Sequence, residues 1–245
     1  MSNKVRFLVS KSQSDLDQEW DRIAPIRDDQ VARLEDATFT RVLEPWVLER
    51  ANRIGESRVI DVGCGSGRLT SKLGIGGAKV LGIDPSPVSI NLARAHDGVS
   101  AYEVATAEER AQLHSSTPFD LVVANMVLMD ALNLDGIVRS LALLARGGRV
   151  LVTIAHPAFW PMYWDYGHDE RFDYLQETVV EAPFKTSSQA YGLVSTHIHR
   201  PVHRYLECFV EHGLEVTAFQ ELRGPEDRSA FPYPRFIGIE ASVGP

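Results

Sequence analysis

The stretch Val59-Ile60-Asp61-Val62-Gly63-Cys64-Gly65-Ser66-Gly67 constrains the fold more than any other part of the 245-residue chain. A short apolar run of this kind predicts a buried strand. The glycines behind it predict a turn where the backbone approaches a ligand that any Cβ would displace. Seventeen residues after Gly67, Asp84 closes a second apolar run, Val80-Leu81-Gly82-Ile83. Strand, glycine turn, helix, strand and terminal acid together describe a nucleoside-binding half-domain. A dinucleotide fingerprint would place Gly or Ala three positions after Gly65, and Arg68 stands there instead. The spacing is Asp61-x-Gly63-x-Gly65-x-Gly67, with an acid inside the strand. An acid so near the turn suits a ligand with a cationic amino group and opposes a pyrophosphate.

Strands and helices alternate beyond this unit. Strands are expected near residues 57–62, 78–84, 99–104, 119–124 and 148–155, with helices near 66–74, 87–96 and 134–145. Strict alternation predicts a parallel sheet with helices on both faces. Two closing apolar runs, Leu214–Phe219 and Arg235–Glu240, bring the strands to seven. At the N-terminus, residues 14–27 carry Trp20 and Ile23 among acids and predict a short amphipathic segment. From Asp28 to about Arg53, Val31, Leu34, Phe39, Val42, Leu43 and Trp46 recur at near-helical spacing, and Pro45 is expected to kink or divide that stretch. The rhythm breaks from 156 to about 200, where Phe159, Trp160, Tyr163, Trp164 and Tyr166 crowd together without a clean period. A normal β–α connection takes about 2–6 residues. Long insertions at the carboxyl ends of parallel strands are where substrates are gripped, so this segment is expected to act as a lid.

The motif around Asp61 resembles the first motif of the class I S-adenosylmethionine-dependent methyltransferases, and further segments match that family in the same order. Asp84 sits where those enzymes bind the two ribose hydroxyls, beside Pro85. Ala107-Glu108 fall where the family lines the adenine with Asp-Ala-Glu, although Thr106 replaces the leading Asp. Phe119–Asn125 resembles the fourth strand and its turn beside the methionine moiety, and Leu144–Leu151 resembles the glycine pair entering the fifth strand. His199-Arg200-Pro201, opening a helix, is similar to a segment of the ubiquinone and menaquinone biosynthesis methyltransferases. The resemblance implies an α/β fold: a doubly wound, seven-stranded, mostly parallel sheet whose last strand inserts antiparallel between the fifth and sixth. It also implies S-adenosyl-L-methionine as cofactor and S-adenosyl-L-homocysteine as product. The chain is then expected to divide into an N-terminal helical cap (1–54), a cofactor-binding core (55–155), a lid or substrate insertion (156–200) and the remainder of the core sheet (201–245), all within one structural domain.

Composition narrows the acceptor. The 33 acids and 25 bases give a net charge of −8. Without a basic run, the phosphate neutralisation that supplies most nucleic-acid affinity is missing, so a nucleic-acid partner is not expected. No apolar stretch reaches the roughly 20 residues that span a bilayer, and the first residues lack the apolar core of a signal peptide. Two cysteines form no disulfide framework or metal-ligand spacing, which fits a cytoplasmic setting. The oligomeric state stays open, because N-terminal helices could pair between protomers or cover their own site.

Methyl transfer from a sulfonium is an in-line displacement that depends on positioning and, for a hydroxyl acceptor, on a base. His156, ending the fifth strand, and His199, at the helix start, are the candidate bases; each could equally be a packed structural residue. Asp61, Gly63, Cys64, Gly65 and Gly67 are expected at the methionine portion, Asp84 and Pro85 at the ribose, Ala107 and Glu108 at the adenine, and Asn125 near the sulfur. Trp20, Phe159, Trp160, Tyr163 and Tyr166 are the candidate substrate contacts, with packing as the alternative role. His197-x-His199-x-x-x-His203 straddles two elements and is not expected to hold a metal. These residues point to methyl transfer onto a hydrophobic small molecule, aromatic or polyketide-like, at oxygen. N- or C-methylation and a cofactor-binding homologue without transfer are the alternatives.

Overall fold

The computed structural model describes residues 5–52, 58–113, 117–185 and 190–244. From the N-terminus, β1 (Arg6–Leu8) is followed by α1 (Gln13–Ala32), a π-helical turn (Phe39–Leu43) and α2 (Glu44–Ala51). The alternating unit then runs β2 (Arg58–Val62), α3 (Arg68–Leu73), β3 (Lys79–Asp84), α4 (Pro87–His96), β4 (Ala101–Val104), α5 (Ala107–Gln112) and β5 (Leu121–Asn125). A 3₁₀ turn (Leu128–Asp130) precedes α6 (Leu134–Leu144) and β6 (Arg149–Ala155). The chain closes with α7 (Trp160–Tyr163), β7 (Thr178–Lys185), β8 (Ala190–His199), α8 (Val202–Glu211), β9 (Leu214–Arg223) and β10 (Pro234–Val243).

Seven of these strands form one sheet in the order β4-β3-β2-β5-β6-β10-β9. The first five are parallel to their neighbours, while β10 runs antiparallel to both β6 and β9. Side chains alternate between the faces of this sheet. Ile60, Val62, Val122, Ala124, Val150, Val152 and Ile154 enter one apolar cluster with α6 and α8. Val59, Leu121, Val123 and Leu151 enter another with the π turn, α2 and α3. Burial on both faces explains why these strands read as continuous apolar runs rather than alternating ones.

The expected strands and helices of the alternating unit fall within two residues of the observed ones, and the last strand inserts antiparallel as the resemblance implied. Three features refine or differ from expectation. The N-terminal segment is a single 20-residue helix, α1, started by a reciprocal capping box between Ser12 and Asp15. Pro45 divides its stretch by standing in the first turn of α2, directly after the π-helical turn rather than inside one regular helix. The stretch from 156 to 200 holds the short helix α7 and a hairpin, β7–β8, that pairs with β1 to make a separate antiparallel sheet. The expected boundary between residues 54 and 55 lies outside the described residues.

Gly238, at the middle of β10, is required by Trp46. A Cβ there would lie 2.4 Å from two atoms of the indole. The ring has little freedom to retreat: its Nε1 donates to Gln220 Oε1 at 3.0 Å, and the Arg50 guanidinium lies 4.2 Å over its centroid. Gly238→Ala is therefore expected to lower stability by about 1–3 kcal/mol through overpacking, measured by urea unfolding.

Candidate functional site

A cavity of about 520 Å³ opens at the carboxyl ends of β2, β3 and β5, where helices and strands diverge around the crossover of the parallel sheet. Its floor includes Asp61, Gly63, Cys64 and Gly65 after β2, Asp84 and Pro85 after β3, Ala107 and Glu108 opening α5, and Asn125 ending β5. Asp84 organises this floor. Its two carboxylate oxygens accept from the Gly65 and Ser86 N–H groups, each at 2.9 Å, and so join the turns after β2 and β3. Gly65 has φ +54°, and a Cβ on it would meet nothing within 4 Å, so any side chain would occupy the cavity itself. Asp61 is buried and accepts from Thr70 Oγ1 at 2.7 Å. Asn125 Oδ1 accepts from Thr153 Oγ1 at 2.7 Å, and the next residue, Met126, takes a positive φ of 60° unusual for a long side chain. That backbone turn brings Met126 into the cavity wall.

Helix α1 covers the cavity with Gln13, Asp17, Trp20 and Ala24, and the wall continues through Arg27, Val31, Phe39 and Leu43. Polar bonds fasten this roof to the core. Ser86 Oγ donates to Asp21 of α1, and Asp28 bonds both Arg68 Nε at 2.9 Å and His96 Nε2 at 2.8 Å. Burial opposes ionisation of Asp28, yet Arg68 and His96 hold its carboxyl below the usual range. Arg68, the residue that sets this motif apart from a dinucleotide fingerprint, thus anchors the roof. Burial pushes the Asp61 carboxyl up to about 7, with the Asp84 charge adding to the effect and Thr70 opposing it. Burial likewise pushes Asp84 up to about 6, against its two backbone donors and with Asp17 and Asp21 adding repulsion.

The residues expected at the cofactor all line the cavity except Gly67. Gly67 has φ +75°, and a Cβ there would lie 2.6 Å from Tyr102 Oη and 2.8 Å from Ala93 Cβ. Its role is close packing of the start of α3, not ligand contact. The Cys64 thiol lines the cavity, and burial holds it protonated. Among the substrate candidates only Trp20 lines the cavity. Phe159 stacks on Tyr233 with centroids 4.9 Å apart, and Trp160 packs against Tyr163, Trp164 and Phe236. The Arg235 guanidinium lies 3.7 Å over the Tyr163 ring, and Tyr166, 2% exposed, bonds His197 Nε2 through its hydroxyl at 2.9 Å. These four rings pack in an aromatic group outside that cavity, with Tyr166 buried and Tyr163 exposed.

Neither histidine reaches the cavity. His156 is buried with Nε2 3.0 Å from Glu221 Oε1, while its Nδ1 accepts from the Ala158 N–H at 3.2 Å. His199 Nε2 bonds the Tyr174 carbonyl at 3.0 Å between the rings of Phe172 and Tyr174, and burial lowers its pKa. Both rings make local bonds, which fits the packed structural role that was the alternative for each. Sequence reasoning missed Asp17 and Asp130, which do line the cavity. It also missed the clamp on Asp130's turn: Arg200, 1% exposed, donates to the carbonyls of Leu128 at 3.0 Å, Ala131 at 2.7 Å and Leu132 at 3.1 Å. The motif His199-Arg200-Pro201 was the available signal, but it carries no information about which carbonyls it meets.

A family model described as a methyltransferase domain matches residues 21–218. The chain is 34% identical over 107 residues to the ubiquinone biosynthesis O-methyltransferase of Bordetella parapertussis, an alignment covering 42% of this chain and 44% of that protein. It is 32% identical over 155 residues to the protein of the same description from Pseudomonas syringae pv. tomato, covering 61% and 63% of the two chains. A solved S-adenosylmethionine-dependent methyltransferase from Mesorhizobium loti superposes with a TM-score of 0.59 at 26% identity, over 80% of this chain and 95% of that one.

Two expectations follow from the geometry alone. Arg200→Leu strands three buried carbonyls and should lower stability by about 2–4 kcal/mol in urea unfolding. Asp84 in the ligand-free fold holds its proton up to about pH 6, above its unfolded value of about 3.9. The folded state therefore binds this proton more tightly, so the associated stability is complete below about pH 4 and is lost as pH rises through 6. Thermal melts should show ligand-free wild type gaining stability relative to Asp84→Asn between pH 7.5 and 5; parallel profiles would contradict the shift.

Proposed function

Because the chain belongs to the class I S-adenosylmethionine-dependent methyltransferases, we propose that it transfers the cofactor's methyl group to a hydrophobic, aromatic small molecule at oxygen. The observation that carries this reading is the division of the cavity into two kinds of wall. Backbone turns and buried acids occupy one side. Trp20, Ala24, Val31, Phe39, Leu43 and Met126 make the other largely apolar. A flat apolar acceptor matches the second wall, which includes the aromatic residues Trp20 and Phe39. The O-methyltransferase description of the Bordetella and Pseudomonas relatives supports oxygen as the acceptor atom. Those alignments cover less than two thirds of the relatives' length.

The residues present fit the cofactor. Asp61 faces the role of holding the methionine amino group, and Asp84 that of accepting from the ribose hydroxyls with charge-assisted bonds. The missing Cβ of Gly65 leaves the floor open for close approach. Ala107 and Glu108 take the adenine, and Asn125, oriented by Thr153, borders the sulfur. When bound, the cofactor supplies the electrophilic methyl group. The protein's own contribution is to orient the acceptor against the apolar wall and exclude water beneath α1. Two free, buried cysteines support a reducing setting, which we take to be the cytoplasm, with a biosynthetic role in secondary metabolism. Among the described residues no helix is long and apolar enough to cross a membrane.

Calorimetric titration with S-adenosylhomocysteine, with NADH as control, tests the assignment of the site. Wild type should bind the former in preference, and Asp84→Ala should weaken it by about 100-fold or more through loss of two charge-assisted bonds. Equal binding by the variant would remove Asp84 from the ribose site. Mass and NMR analysis of products from a screen of phenols and aromatic amines then decides the acceptor atom. Products methylated only at nitrogen or carbon would overturn the oxygen reading.

A further inference from the structure

Of the cavity-lining acids, Asp17 and Asp130 are left without a task by the cofactor contacts, and Asp130 is the one that follows the β5 turn at Asn125. It ends the 3₁₀ turn Leu128–Asp130, five residues beyond Asn125, and lies in the same wall as Ala131 and Leu132. The turn is not free to swing. Arg200 reaches in from the end of β8 and holds the carbonyls of Leu128, Ala131 and Leu132, on both sides of Asp130. The same guanidinium is itself fixed by Glu177, whose Oε2 accepts from Arg200 Nε at 2.9 Å. A buried arginine whose hydrogen bonds go to three carbonyls, Glu177 and Tyr205 holds the turn in place. Asp130's carboxyl is influenced by burial first, then by the Glu19 and Arg200 charges, with no hydrogen bond among the causes; the net effect holds it well above the usual carboxylate range.

The charge balance of the cavity adds a second observation. Its wall carries Asp17, Asp61, Asp84, Glu108 and Asp130 against two arginines, Arg27 and Arg68. Both arginines are already engaged, Arg27 by Asp36 and Arg68 by Asp28, and neither acid lines the cavity. An anionic acceptor would therefore meet a wall with more acids than free cations.

We propose that Asp130 is a catalytic residue that accepts the hydrogen bond of the acceptor's hydroxyl and takes its proton, restricting the acceptor to neutral hydroxyl-bearing molecules; this rests on the methyl-transfer reading above. In the step, a lone pair of the acceptor oxygen forms the new bond to the methyl carbon. The carbon–sulfur bond breaks with its electrons passing to sulfur, and the hydroxyl proton passes to the Asp130 carboxylate. Charge is conserved: the sulfonium becomes a neutral thioether as the carboxylate becomes a neutral acid. Arg200 acts as the positioning residue that keeps the carboxylate facing the cavity.

The test needs no knowledge of the natural acceptor. Wild type, Asp130→Asn and Asp130→Glu, each saturated with S-adenosylhomocysteine, are titrated calorimetrically with catechol, a neutral diol, and with benzoate, an anion of similar size. Saturation itself verifies that each protein is folded around its cavity. Wild type should prefer catechol by at least about tenfold, Asp130→Glu should keep a preference, and Asp130→Asn should bring the ratio to within about threefold of unity, since only the charge is removed. An unchanged ratio in Asp130→Asn, or absence of binding by both probes in wild type, overturns the assignment of Asp130. Failure of wild type to bind S-adenosylhomocysteine rejects the methyl-transfer reading instead, and the inference with it.

Discussion

The carboxylate of Asp84 holds two turns in place at once, and the geometry of the cavity depends on that bridge. By accepting from the Gly65 and Ser86 N–H groups it couples the glycine turn after β2 to the start of α4. Ser86 then passes the connection onward, capping α4 through Ser89 N–H and donating its own hydroxyl hydrogen to Asp21 of α1. A single acid is therefore continuous with the floor, the helix behind it and the roof above. Side-chain-to-backbone bonds of this sort are strong because one partner is charged, and they satisfy N–H groups that the turns would otherwise leave unpaired.

The arrangement carries an electrostatic penalty in the ligand-free protein. Asp61 is buried and Asp84 half-buried close by, and desolvation raises both above the ordinary carboxylate range. An apolar pair would be more stable there, but it would offer nothing to an amino cation or to ribose hydroxyls. The site stores this cost, and a ligand that donates hydrogen bonds to both acids relieves it. The positive φ of Met126 is a smaller instance of the same thing, a strained backbone at the cavity edge sustained by the Thr153 bonds around it.

Much of the floor was legible because its signals are local. Gly63 and Gly65 need backbone conformations that few residues adopt, Asp61 and Asp84 fall at the ends of apolar runs, and strand and helix periods differ enough to be separated by eye. Gly67 was misread for a related reason: a positive φ marks a glycine as necessary without saying whether a ligand or Tyr102 is the atom it avoids. The aromatic segment after β6 left two roles open, because crowded rings look alike whether they face a substrate or one another. His156 and His199 stand at the sheet edge where ligands bind, but Glu221 and the Tyr174 carbonyl, both remote in sequence, take their ring nitrogens.

By itself the sequence determined the parallel α/β scaffold, the nucleoside-binding turn and the acids of the floor, since each follows from conformational preference and periodicity over a few residues. Tertiary structure alone decided what closes the cavity and which acids beyond the glycine motif line it. The roof is α1, not the segment after β6, because Asp21 and Asp28 meet Ser86, Arg68 and His96 only once the chain has folded back on itself. The turn that carries Asp130 is held by Arg200, a residue 70 positions later in the chain, through bonds to main-chain carbonyls. Such bonds leave little trace in residue identity, because every residue supplies a carbonyl and only packing selects which one is met.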